Sequence, residues 1–156
     1  LYEEPELLYP YYRLLEEGHE VLRIGTEVAT YTGKYGYPVR ADLTSAEVDP
    51  ADYDGVIIPG GFSPDYMRRD PAMVSFVAAL VDAGKPAAAI CHGPWMLVEA
   101  DVVRGRRVTS VTAVRTDLRN AGGEWVDQAV VVDGPVITSR TPKDLPAFMK
   151  AFIDAL

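Results

Sequence analysis

The chain has 156 residues, 48% of them apolar and 24% charged, which suits one folded domain with a hydrophobic core. Its formal net charge of -8 would repel a phosphate backbone, so we expect no nucleic-acid partner. No apolar run approaches the ~20 residues that a membrane-spanning helix needs, so we expect no membrane partner either.

The N-terminal part of the chain predicts a helix followed by two strands. Glu6 to Glu17 carries apolar residues at helical spacing, and Gly18 is suited to end the helix. Glu20 to Ile24 and Val39 to Leu43 are typical of short strands. Residues 32–37 between them are rich in Gly, Tyr and Thr and indicate a loop or hairpin arm.

Two short apolar runs in the middle of the chain predict buried parallel strands. The first is Gly55 to Ile58, which ends in Pro59-Gly60-Gly61, and the second is Ala87 to Ile90, which ends at Cys91. A helix is predicted between them, because Asp70-Pro71 is a typical start and Gly84 a typical stop.

The C-terminal part continues the alternation of strands and helices. Its predicted elements are a helix over Trp95 to Val98, a strand near Val108, a helix over Ala113 to Asn120, strands at Trp125 and Ala129 to Val132, a hairpin turn at Asp133-Gly134, and a last helix after Thr141-Pro142. Alternating elements of this kind predict an α/β fold with a mostly parallel sheet that is covered by helices on both faces.

Cys91 is the residue that most strongly indicates chemistry. A lone cysteine is usually a small buried hydrophobe, but this one follows a buried strand and precedes a helix. Such a tight turn, or nucleophile elbow, needs small residues two positions before and after the nucleophile, and Ala89 and Gly93 are small. A single cysteine also forms no intrachain disulfide, which fits a reducing compartment such as the cytoplasm.

Three groups near Cys91 could assist it. His92 could act as a general base or acid, although adjacent residues in a turn point in different directions. The backbone N–H groups of Gly61 and His92 could form an oxyanion hole, while the alternative for Gly60-Gly61 is a plain turn. The chain has two histidines and one cysteine without ligand spacing, so no metal site is expected.

Four segments of the chain form a combination that is specific to one family. They are Ala89-Ile90-Cys91-His92-Gly93-Pro94, Ile58-Pro59-Gly60-Gly61, Glu16-Glu17-Gly18-His19-Glu20-Val21 and Gly122-Gly123-Glu124-Trp125-Val126-Asp127. Together they resemble the PfpI family of the class I glutamine-amidotransferase-like superfamily, over nearly the whole chain. The resemblance implies a flavodoxin-like three-layer sandwich, with residues 1–156 forming a single domain.

The resemblance also implies roles for individual residues. The family's nucleophile falls on Cys91 and the following histidine on His92. The acid that hydrogen-bonds the cysteine sulfur falls on Glu3. In the peptidase mechanism a further glutamate from a neighbouring subunit orients the histidine, and that position holds the shorter Asp65. Self-association to a dimer or larger ring is therefore expected. The resemblance implies no cofactor.

Family members begin with a buried strand just before this acid, so the resemblance implies one further strand, roughly 5–10 residues, upstream of Leu1.

Three functions stay open. The first is a glyoxalase III or deglycase enzyme that acts on small carbonyl compounds such as methylglyoxal. The second is an intracellular cysteine peptidase that cleaves small peptides. The third is a non-enzymatic redox sensor or stress chaperone that signals through oxidation of Cys91.

Overall fold

Ten short strands and six α-helices alternate along the chain in the computed structural model, which describes residues 1–156. The strands are β1 (Ile24–Gly25), β2 (Thr30–Thr32), β3 (Pro38–Arg40), β4 (Leu43–Thr44), β5 (Val56–Ile58), β6 (Ala87–Ile90), β7 (Arg107–Val108), β8 (Glu124–Trp125), β9 (Val130–Asp133) and β10 (Val136–Ser139). The helices are α1 (Glu4–Glu16), α2 (Ser63–Met67), α3 (Pro71–Asp82), α4 (Pro94–Glu99), α5 (Arg115–Asn120) and α6 (Leu145–Ala155). None of them is long and apolar enough to cross a membrane.

A four-stranded sheet with the order β5-β6-β10-β9 forms the centre of the fold. The strands β5, β6 and β10 are parallel, and β9 is antiparallel to β10, with which it forms the hairpin predicted at Asp133-Gly134. Every residue of β6 is buried, because the strand has a neighbour on each side and helices on both faces. The predicted mostly parallel sheet is confirmed.

Helices cover both faces of this sheet and give three layers. Along β6, Ala87 and Ala89 face a core that contains residues of α3, α4 and α5, whereas Ala88 and Ile90 face a core that contains α6 and the end of α1. Successive strand residues point to opposite faces, so one short strand contributes to both cores. The largest buried side chains include Phe148 of α6 and Leu97 of α4.

The two strands predicted before β5 are shorter than expected. The segment Glu20 to Ile24 is a strand only at Ile24–Gly25, where it pairs with β4. The segment Val39 to Leu43 is divided, since β3 pairs with β2 in a hairpin and β4 pairs with β1. The chain changes partner at residues 41 and 42, and a strand pattern in the sequence does not contain this information.

An apolar cavity of about 900 Å³ lies between β1 and β5. It is lined by residues of both strands, by Leu14 of α1 and by Phe76 of α3. The strands β1 and β5 are not hydrogen-bonded neighbours, so the β1–β4 pair and the central sheet are separate. The further strand implied by the resemblance stays a prediction.

Candidate active site

Cys91 lies in the tight turn between β6 and α4 that the sequence predicts. Its φ of 62° places it in the left-handed region, which is uncommon for a residue other than glycine. Its N–H donates to the Ser139 carbonyl at 3.1 Å, and its own carbonyl accepts the Val111 N–H at 3.2 Å. A Cβ on Gly93 would stand 2.5 Å from the Ile58 carbonyl oxygen, so the turn requires glycine there.

The acid beside Cys91 is Glu6, in the first turn of α1. Its side chain is buried, and its Oε2 accepts the Gly60 N–H at 2.7 Å, whereas Oε1 has no hydrogen-bond partner. A Cβ on Gly60 would stand 2.7 Å from Glu6 Oε2, 2.8 Å from Cys91 Cβ and 2.9 Å from the His92 nitrogen. The carboxyl group, the thiol-bearing carbon and the backbone amide therefore converge on the bare face of Gly60.

Glu3, to which the resemblance assigns the hydrogen bond to the cysteine sulfur, has a different partner in the structure. Glu3 precedes the helix in an extended conformation, and its Oε2 accepts from Lys34 Nζ at 3.2 Å. Glu6 instead lies on the buried face of α1, four residues before Pro10 and eight before Leu14, which are both buried. An acidic residue at helical spacing with buried residues is the sequence signal that would have pointed to Glu6.

Glu6 and Cys91 influence each other's ionisation. Burial raises the pKa of Glu6 to about 7, against the opposing effect of the Gly60 N–H. Burial and the adjacent Glu6 charge raise the pKa of Cys91 to about 12, while the N–H groups of His92 and Gly61 favour its thiolate. Two negative charges this close are unfavourable, so the pair titrates as a unit that retains one proton above neutral pH.

His92 is half-buried and has no acidic partner within the chain. Its Nδ1 is buried without a hydrogen bond, and its ring packs against Trp95 with the centroids 5.2 Å apart. Burial and the charge of Lys34 lower the pKa of His92, so its neutral form is favoured. Asp65 lies on α2 with an exposed side chain, and no hydrogen bond joins it to His92.

The Gly60→Ala substitution is expected to damage the site directly. The added methyl group would overlap Glu6 Oε2, Cys91 Cβ and the His92 backbone nitrogen, so we expect about 1–3 kcal/mol of destabilisation and at least about a hundredfold loss of turnover. Gly84→Ala is the matched control, because Gly84 has a φ of 75° and open space around its missing Cβ. It should lose stability through backbone strain and retain full activity per folded molecule. Equal activity losses in both variants would contradict this prediction.

The chain is similar to a known protein family and to known proteins of other organisms. The model of the DJ-1/PfpI family matches residues 1–155. A deglycase of Pyrococcus horikoshii is 48% identical over 155 residues, which cover 99% of this chain and 93% of that protein. A candidate cysteine protease of Bacillus subtilis is 40% identical over 156 residues, covering 99% of this chain and 92% of the other.

The fold is also found among solved structures. A two-domain protein of Anabaena variabilis, with DJ-1/ThiJ/PfpI-like and ferritin-like domains, matches with a TM-score of 0.96 and 42% identity. The match covers 98% of this chain and 46% of that chain. The flavodoxin-like α/β fold implied by the sequence resemblance is confirmed.

Proposed function

The chain belongs to the DJ-1/PfpI family, and we propose that it is a cysteine-dependent enzyme that converts methylglyoxal to lactate or removes early glycation adducts. The observation that carries this proposal is the buried Glu6 carboxyl group beside Cys91, with one oxygen free of hydrogen bonds. A carboxyl group with a pKa near neutrality can both give and take a proton at physiological pH. The Pyrococcus horikoshii relative is named a deglycase, which supports the same class of reaction.

The first step is addition of the Cys91 sulfur to the aldehyde carbon. The thiol proton passes to Glu6, and the sulfur lone pair forms the S–C bond while the carbonyl π electrons move to oxygen. In this proposal the N–H groups of Gly61 and His92, which favour negative charge on the sulfur, also stabilise the oxyanion. Glu6 then returns its proton to the oxygen and leaves a neutral hemithioacetal.

The second step moves hydrogen between the two carbons of the substrate. The Glu6 carboxylate removes the proton from the hemithioacetal carbon, and the neighbouring ketone oxygen is protonated to give an enediol. The neutral imidazole ring of His92 can pass this proton from Glu6 to the ketone oxygen. Burial keeps the ring neutral, because it disfavours the cationic form. The hydroxyl group on the first carbon then gives its proton to the Glu6 carboxylate, and Glu6 delivers a proton to the second carbon. The product is a lactoyl thioester, which water cleaves to lactate and the free thiol.

The proposal is tested by incubating the protein with methylglyoxal and measuring lactate without added glutathione or metal. We expect lactate to form in proportion to enzyme concentration and to be absent with the Cys91→Ser variant. Removal of lysine or arginine glycation adducts from a model peptide, measured by mass spectrometry, separates deglycase from glyoxalase activity. No turnover of either substrate by the wild-type protein would refute the proposal.

A second candidate, a cysteine peptidase, is favoured by the unpartnered His92. A histidine base needs an acid to orient it, and its buried Nδ1 has no partner within one chain. In this alternative the exposed Asp65 of a second copy would supply that acid, and the site would be complete only in an oligomer. Peptide hydrolysis that disappears on dilution below the dissociation constant of the oligomer, and in Asp65→Asn, would support it. A reducing, cytoplasmic setting is proposed for either activity.

A further inference from the structure

Lys34 is a cation that lies beside the reactive pair and has no role in the steps above. It occupies the turn of the β2–β3 hairpin, where its N–H donates to the Tyr2 carbonyl at 2.8 Å. Its Nζ lies 3.2 Å from Glu3 Oε2. The Lys34 side chain is 39% exposed and the Glu3 side chain 13%, so the ammonium group is accessible to a ligand while its counterion is more enclosed.

The hairpin turn that carries Lys34 is held by a buried carboxylate. Oε1 of Glu4 accepts the Tyr35 N–H at 2.6 Å and the Tyr37 N–H at 3.4 Å. Burial alone would raise the pKa of Glu4, but these backbone hydrogen bonds outweigh it and lower the pKa. The carboxylate also packs on the bare face of Gly33, where a Cβ would collide with it. The backbone of Lys34 is therefore fixed relative to the start of α1.

The Glu3–Lys34 ion pair is connected to the Cys91 site through Gly60. The Glu3 N–H donates to the Gly60 carbonyl at 3.3 Å, and the Gly60 N–H donates to Glu6 at 2.7 Å. The charge of Lys34 lowers the pKa of both Glu6 and His92. A cation that acts on both groups is close enough to attract a negatively charged substrate group.

We propose that Lys34 and Glu3 form a charge selector beside Cys91, in which Lys34 binds the carboxylate of a carbonyl substrate and Glu3 competes with that carboxylate. The substrate class follows from the place of the cation, which Glu3 and Gly60 connect to the Cys91 turn: small 2-oxoaldehydes that carry a carboxylate, such as 4,5-dioxopentanoate, which keep the ketone that the proposed hydrogen shift requires. This choice of substrate rests on the proposed carbonyl chemistry, whereas the charge selection does not.

The charge selection is tested by alkylating Cys91 with iodoacetate and with iodoacetamide. In both reactions the sulfur lone pair forms the S–C bond, the C–I bond breaks and iodide leaves. The reagents are similar in size and differ in charge, so the ratio of their rate constants reports the local electrostatic potential. Changes in the pKa of Cys91 affect both rates and cancel in the ratio. Cys91 is the single thiol of the chain, so total alkylation measures this site alone.

Opposite shifts are expected from two uncharged variants. Lys34→Gln should lower the iodoacetate-to-iodoacetamide ratio about fivefold, and Glu3→Gln should raise it about fivefold, as expected for one unit charge acting over several ångströms. Lys34→Arg should keep the wild-type ratio, and added salt should reduce the differences. Ratios within twofold of wild type in both glutamine variants, with unfolding midpoints unchanged, would overturn the proposal.

The substrate class is tested separately with methylglyoxal and with 4,5-dioxopentanoate, which the same hydrogen shift would convert to 2-hydroxyglutarate. In Lys34→Gln we expect the ratio of kcat/KM for 4,5-dioxopentanoate to kcat/KM for methylglyoxal to fall, mainly through a higher KM for the charged substrate, because changes in the pKa of Glu6 and His92 affect both substrates. If the alkylation ratios shift but neither carbonyl compound is turned over, the charge selector stands and the proposed function fails. If both compounds are turned over and the ratios do not shift, the proposed function stands and the charge selector fails.

Discussion

Cys91→Ser is expected to lower kcat/KM for methylglyoxal by about 10³-fold or more, to the background rate without enzyme. Serine fits the same turn, because its side chain differs from cysteine by one atom and the φ of 62° is already accommodated. Its hydroxyl is far less acidic than a thiol, so the neighbouring Glu6 cannot produce a nucleophilic anion from it. Lactate formation over time is the measurement.

The Cys91→Ser result is interpretable only if the variant is folded. Its unfolding midpoint in urea should lie close to that of the wild type, since the backbone hydrogen bonds to Ser139 and Val111 do not involve the sulfur. Cys91→Ala serves as a second control and should be equally inactive. Retention of a tenth or more of the wild-type rate in either variant would show that another group performs the chemistry.

Glu6→Gln is expected to lower kcat for methylglyoxal by about 10²- to 10⁴-fold, the range typical for loss of a general acid–base group. Glutamine can still accept the Gly60 N–H but can neither take nor return a proton. Glu3→Gln is the matched control, because the same chemical change three residues earlier removes a charge from an ion pair with Lys34. We expect Glu3→Gln to retain turnover of methylglyoxal.

The pH dependence of the reaction separates proton transfer by Glu6 from simple positioning. In the wild type, the Glu6–Cys91 pair loses its first proton near the Glu6 pKa of about 7, so the rate of alkylation by iodoacetamide should rise through that pH. In Glu6→Gln the thiol titrates alone, and burial keeps its pKa above the ordinary 9.0. The alkylation rate should then rise only above pH 9. An unchanged profile would contradict this assignment.

Glu6 should also reduce the stability of the fold at alkaline pH. Its pKa is 4.5 ordinarily and about 7 in the folded chain, so the folded state binds more protons than the unfolded state between these values. The free energy of unfolding therefore falls as the pH rises through this window, by about 3 kcal/mol in total. Glu6→Gln, which does not ionise, should be at least as stable as the wild type at pH 8 by urea denaturation.

The sequence predicted most of the fold because its local signals agree with the tertiary structure. The apolar runs before Gly60 and Cys91 are the strands β5 and β6, and Asp70 caps α3 through its Oδ1 as the Asp-Pro pattern predicts. Strand lengths before β5 were not predictable, since a strand exists only where a partner pairs with it. The division of residues 39–43 between β3 and β4 depends on two different partners.

The sequence by itself determined the tight turn that holds Cys91, whereas only the tertiary structure decided which acid lies beside it. Cys91 could be identified locally, because a nucleophile elbow requires a buried strand, small flanking residues and a helix within one continuous segment. The acid beside it, Glu6, lies 85 residues earlier in the chain, and two other glutamates lie within three positions of Glu6. Glu3 faces Lys34, Glu4 holds the β2–β3 turn, and Glu6 alone is buried against Gly60. Helix phase and packing made that choice, because a change of a few residues rotates a side chain from the solvent to the core.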